Sequence, residues 1–302
     1  MKPYRNLTVL FFLSCLASAV TADPLTFYGK ANVSMQSTDE GDGRFLDIKS
    51  NASRLGVKGN LALSSELEVL YIFEWEVDLA DESGSDNIKS RNQYVGLKGQ
   101  FGTVLLGRND TVLKQSQGKI DQFGDYEADL KGLWKGENRM ADSLTYFSPS
   151  YYGVTFGISY ITEGEVTAED AQSVSVTYGD KNFKKNLWYV SASADFDVKG
   201  YDTQRLSLQT KFDELVLGAI FQHQESSDTR NSKSGAMISA AYTLGSIVLK
   251  TQFQTLKDDN SFSVGADYKL AKSTKLFAWY TSRGLDDSAD QSWLSAGIEH
   301  KF

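Results

Sequence analysis

The chain has one cysteine, three prolines and two histidines in 302 residues, and each shortage excludes something. Cys15 lies within an N-terminal apolar run, LTVLFFLSCLASAV, which follows Lys2 and Arg5 and ends at Val20-Thr21-Ala22. A basic start, a short apolar stretch and small residues at the cleavage positions mark a secretory signal peptide. Residues 1–22 are therefore expected to be removed before Asp23. The run is shorter than the roughly 20 residues of a bilayer-spanning helix. A lipoprotein site at Phe12-Leu13-Ser14-Cys15 fits poorly, because Phe stands at its first position. Residues 23–302 then hold no cysteine, which excludes disulfides and cysteine-based metal or nucleophile chemistry. His223 and His300 offer no HxH or HxxxH spacing for a metal. His223, in QHQE, stands where a catalytic histidine could, but no acid-rich or serine-centred motif accompanies it. Neither a metal, a cofactor nor an enzymatic activity is expected.

Positive charge is also short, with 31 Lys and Arg against 39 Asp and Glu. Loss of the leader's two basic residues takes the formal charge from −8 to −10. That balance argues against a nucleic-acid binder, which would carry a basic face. No run of 18 apolar residues follows the leader, so no transmembrane helix is expected. The mean hydropathy of −0.34 resembles that of a soluble protein. A membrane β-barrel would read the same, because only alternate residues face lipid.

What is present is alternation. LTFYGKANVSMQ puts Leu25, Phe27, Ala31, Val33 and Met35 on one face and Lys30, Asn32, Ser34 and Gln36 on the other. LEVLYIFEWEV sets its aromatics and aliphatics against Glu68, Glu74 and Glu76, and SIVLKTQFQ and SWLSAGIEHKF repeat the pattern. A period of two means strands with one apolar and one polar face. Pro24 precedes the first strand and Pro149 falls in the turn SPSYYG, so proline interrupts none of them. Short connections (NLALSS, GQFGT, SPSYYG, GDKNFKKN, KFDEL, LGS, LAKST) take turns with longer ones near 37–44, 78–90, 110–142, 163–172, 196–203, 224–234, 256–260 and 283–291. This predicts about sixteen strands and an all-β, transmembrane antiparallel barrel of a single domain, residues 23–302. Aromatics near strand ends (Tyr151, Tyr152, Tyr160, Trp188, Tyr189, Trp279, Tyr280) are read as an interfacial girdle. The competing fold, a soluble β-sandwich, would need crossover signals that these consecutive hairpins lack.

The segments YGKANVSM, SRLGVKGNLALSSELEVLYIFEWE, RNQYVGLKGQFGTVLLGRND, NRMADSLTYFSPSYYGVTFGISY, VGADYKLAKSTKLFAWYTSR and SAGIEHKF resemble, in order and over the whole mature chain, general porins of Gram-negative outer membranes, of the gammaproteobacterial type. The resemblance implies an outer-membrane homotrimer of sixteen-stranded barrels passing small hydrophilic solutes and ions. It implies that the third long loop, 110–142, folds inward and narrows the pore. Its acids Asp121, Asp125, Glu127, Asp129 and Glu137 would face basic wall residues. Lys30, Arg54 and Arg91 match the family's wall positions. The basic residue often found before the third turn is Phe147 here, with Arg108 or Arg139 as candidate replacements. The second loop, DLADESGSDNIKS, resembles a latch onto a neighbouring subunit. Phe302 resembles the terminal aromatic read by the outer-membrane assembly machinery. With one wall cation missing and a negative chain, weak cation preference is expected. A substrate-specific channel, with a sugar track using Tyr28, Trp134 and Trp293, is the alternative.

Overall fold

A sheet with one polar and one apolar face can bury its polar groups by curling until its edges meet, which also removes those edges. The computed structural model describes residues 25–80, 87–162 and 170–302. The expected leader with Cys15, and the centre of the second loop, lie outside the described residues. In chain order the strands are β1 (Thr26–Asp39), β2 (Arg44–Ser50), β3 (Arg54–Ala62), β4 (Leu67–Val77), β5 (Ile88–Gly99), β6 (Gly102–Asp110), β7 (Arg139–Phe147), β8 (Val154–Ile161) and β9 (Ala171–Gly179). They continue as β10 (Trp188–Phe196), β11 (Tyr201–Phe212), β12 (Leu215–Ser226), β13 (Ser232–Leu244), β14 (Ile247–Leu256), β15 (Asp259–Lys269), β16 (Thr274–Gly284) and β17 (Gln291–Lys301). Among the described residues, only α1 (Val112–Ser116) and a single 3-10 turn (Leu130–Gly132) interrupt them, both between β6 and β7.

Apart from β2 and β3, each strand pairs antiparallel with the next, and β1 closes the ring onto β17. On its other edge β1 pairs first with β2 and then with β3. Those two are halves of one stave, so the closed barrel has the sixteen staves expected. The break between the halves is a bulge, with Asn51, Ala52 and Ser53 opposite only Ala31 and Asn32. Ala52 takes φ 49° there, and Ser53 Oγ accepts from the Asn32 amide at 2.9 Å. Register also shifts between Phe73 and Trp75 opposite β5, and between Gly107 and Asn109 opposite β7. All three irregularities stand beside wall arginines: Arg54, Arg91, and Arg108 with Arg139.

The faces follow the alternation, apolar outward. Phe27, Met35, Leu294 and Ile298 are exposed, while Asn32, Ser34, Gln36 and Ser295 are buried on the inside. Two girdle assignments are corrected. Trp188 and Tyr280 point out, but their neighbours Tyr189 and Trp279 are buried inside, because adjacent residues of a strand face opposite ways. Loop lengths also differ from the reading. The stretches read as long at 196–203 and 256–260 are tight turns at 197–200 and 257–258, in which Asp197 and Lys257 take positive φ. GDKNFKKN, read as short, leaves eight residues between β9 and β10. Polarity marked those turns, but polarity does not measure length. The third loop proper is 111–138, since Arg139 to Asp142 already extend β7.

Candidate functional site: the loop-lined lumen

The third loop lies inside the barrel, and polar groups of the inner wall hold its backbone. Thr111 caps α1, accepting from the Lys114 amide. The Leu113 amide donates to Ser173 Oγ at 3.0 Å, and Tyr189 and Ser191 donate to the Ser116 carbonyl. Further along, Ser239 donates to the Ile120 carbonyl at 2.6 Å, and the Gln122 amide to Gln252 Oε1 at 2.9 Å. Trp134 donates to the Thr255 carbonyl at 2.9 Å. A loop crossing a polar wall needs such partners, because each buried unpaired backbone group costs free energy. Apolar contact adds to them. Ile120, Leu130 and Trp134 pack on Ile220, Met237 and Leu256, while Phe123, Tyr126 and Ala128 pack on Phe277, Trp279 and Trp293. These wall residues explain the inward aromatics: they are the floor on which the loop rests.

The loop acids have unlike environments. Asp125 meets the expected wall: it bonds Lys30 Nζ at 2.7 Å and also Arg54. Burial alone would raise its carboxyl, but these two cations hold it down at about 2. Asp121 turns into the loop and accepts the amides of Phe123 (2.8 Å) and Leu130 (3.1 Å). Burial and then the nearby Asp129 push its carboxyl up to about 7. Asp129 caps the 3-10 turn, accepting from the Lys131 and Asp125 amides. Glu137 pairs with the fully buried Arg205 at 2.8 Å. Glu127 has no ion-pair partner among the described residues; its carbonyl accepts from Arg283.

The wall cations divide as well. Arg91 is ion-paired on its own wall, to Glu74 at 2.7 Å and Glu76 at 2.6 Å, and still lines the lumen opposite the loop. Arg139 and Lys114 share Asp110, at 3.0 and 3.1 Å. Arg108 has no ion pair among the described residues, and its Nε is buried without a hydrogen-bond partner. Lys199, on the 197–200 turn, is depressed by burial and then by Arg108, Lys114 and Arg139. Four cations thus gather at the long-loop end, two of them paired with Asp110. Phe147, where a wall cation was expected, lines a smaller cavity lower in the bore. Arg205, Arg283, Lys250, Lys275, Lys114 and Lys199 were not singled out from sequence. Their signal was a basic residue on the polar face of a strand or turn, as in TQRLSLQ. A second charge chain follows from them: Lys250 and Lys275 share Asp267 at 3.0 and 2.9 Å, and Lys301 meets Glu299 at 3.2 Å.

Between loop and wall remains a cavity of about 1150 Å³, lined by twelve basic and nine acidic side chains. Tyr126 is its one aromatic among the described residues.

Sixteen staves, an apolar outer surface and a charged bore narrowed by an infolded loop define a membrane channel of the β-barrel class. A family model for Gram-negative porins matches residues 7–288, and the chain belongs to that family: it is a non-enzymatic channel protein of the outer membrane. The major outer membrane protein P.IB of Neisseria meningitidis serogroup A is 24% identical over 330 residues, covering 96% of this chain and 97% of that one. Its counterpart in Neisseria gonorrhoeae is 22% identical over 348 residues, with the same coverage. Among solved structures, an anion-selective porin from Comamonas acidovorans matches with TM-score 0.72 at 18% identity, over 92% of this chain and 99% of that one. OmpF of Salmonella typhi, in complex with daunomycin, matches with TM-score 0.75 at 16% identity, over 92% and 97%. At these identities the structural likeness speaks for the fold.

Proposed function

We propose that the protein is a general diffusion porin, a homotrimer of barrels, each passing small hydrophilic solutes and ions through its own pore. The observation that carries this is the lumen: a cavity lined by charged side chains, with Tyr126 its one aromatic among the described residues. Trp134 and Trp293 lie beneath the loop, and the Tyr28 hydroxyl is spent on Glu74 at 3.0 Å. That disfavours the substrate-specific alternative. An OmpT of Vibrio cholerae among the structural neighbours is described in a trimer form, which supports the assembly. In this reading residues 23–302 are the mature single domain, Phe302 is the assembly signal, and Asp125 with Lys30 and Arg54 sets the constriction.

On selectivity, the expectation of weak cation preference rests on the charge of the whole chain. An ion in transit meets only the lining, and low-dielectric walls focus its field. Twelve basic against nine acidic lining residues support weak anion preference instead, and Arg108, Lys119 and Lys199 lack ion pairs among the described residues. A planar bilayer under a KCl gradient tests it: the reversal potential should lie on the chloride side of zero, and a clear potassium-side value would sink the anion reading. Liposome swelling should fall smoothly with sugar mass. Saturation by a single sugar would instead favour the specific channel.

A further inference from the structure

The turn 180–187 is the longest connection at the short-turn end of the barrel. It carries Lys181, Lys184 and Lys185. It is a built turn: the Asp180 carboxylate accepts the amides of Asn182 at 2.9 Å and Lys184 at 3.0 Å. The Leu187 carbonyl is fixed by the Lys211 amide and the Thr210 hydroxyl, both at 3.1 Å. Together these hold the turn against the inner mouth.

A cavity of about 450 Å³ lies between this turn, α1 of the infolded loop and the inner faces of β8–β10. The turn contributes Lys181, Asn182, Lys185 and Asn186 to its lining, and the loop contributes Gln115. Among the described residues Asp180 is the one carboxylate there, and the turn's own amides bond to it. Neither Lys181 nor Lys185 has an ion pair among the described residues. Lys181 is depressed by burial and then by the ammonium of Lys119 on the loop above. Lys119 itself lines the main lumen and is unpaired among the described residues. Three ammonium groups without ion pairs among the described residues, flanked by amide side chains, match a doubly charged oxyanion on a small polar body.

We infer that the 180–187 turn forms a second narrowing, at the inner mouth, where Lys119, Lys181 and Lys185 bind phosphomonoester solutes as they pass. The inference rests on the channel reading, and one recording separates the two. Single channels would be recorded in KCl, with glucose 6-phosphate or glucose added to either side. The orientation of each channel would be fixed by an Asp228→Cys reporter at the long-loop end, biotinylated and challenged with streptavidin. The expected result is a saturable fall in current with glucose 6-phosphate, stronger from the short-turn side, and none with glucose. The Lys181→Gln/Lys185→Gln double variant should need about tenfold more sugar phosphate, while its open-channel current shows that it is folded. Lys184→Gln, outside the cavity, should block like the parent. No block in the parent, equal block from both sides, or block unchanged in the double variant would overturn the inference. Absence of any conductance would overturn the channel reading instead.

Discussion

At the scale of single residues, five acids of one loop differ because each answers to different neighbours. Asp121 is the instructive case. Its oxygens hold two loop amides, yet burial and Asp129 favour the protonated form. With a carboxyl near 7, it gains a proton as pH falls from 8 to 6, and the lumen loses a negative charge. Anion preference should therefore rise over that window, read as a reversal potential moving toward chloride. The Asp121→Asn variant should show little of this change. Linkage runs the same way. A carboxyl raised in the folded state contributes most below its unfolded value, and that contribution is lost as pH climbs through about 7.

At the scale of elements, the strands were legible and the loop's attachment was not. Period-two alternation needs only neighbours in sequence, so the inward set of Asn32, Ser34 and Gln36 could be read directly. The partners of the loop lie far along the chain: Gln122 meets Gln252, and Glu137 meets Arg205. Nothing local distinguishes those wall residues from others on the polar face. The same limit hid the ion pairs that Arg91 makes with Glu74 and Glu76 on the adjacent strand. Loop and bulge make separate predictions. Trp134→Ala should remove about 3–5 kcal/mol of packing, felt mostly by the loop. Its mark would be larger, noisier single-channel currents from a barrel that still folds. At the bulge, Ala52 sits in a left-handed conformation that costs roughly 1–2 kcal/mol for a residue with a Cβ. Ala52→Gly should therefore stabilise by about 1 kcal/mol in urea unfolding from detergent, and Ala52→Val should destabilise.

At the scale of the whole molecule, everything depends on a seam. β17 meets β1 from Lys30↔Lys301 to Asp39↔Ser292. Its last link is a pair of backbone bonds between Gly29 and Phe302, at 2.9 and 3.1 Å. The ring of Phe302 lies so close over Gly29 that a Cβ there would collide with it. Gly29→Val should therefore leave the sixteen staves individually sound but impair closure. Semi-native electrophoresis of refolded protein would show a smaller closed fraction, and an unchanged fraction would mean the seam tolerates displacement of the ring.

That seam also says something about time. Residues 30 and 301 become neighbours only after nearly the full chain is made and exported, so no partial product can be a smaller working ring. Until then both outer strands present open hydrogen-bonding edges, and contacts this distant in sequence form slowly. Until β1 and β17 meet, neither edge has its final partner. The chain's survival until then depends on how long those two edges are kept from other chains, a requirement set by the topology and independent of anything in the pore.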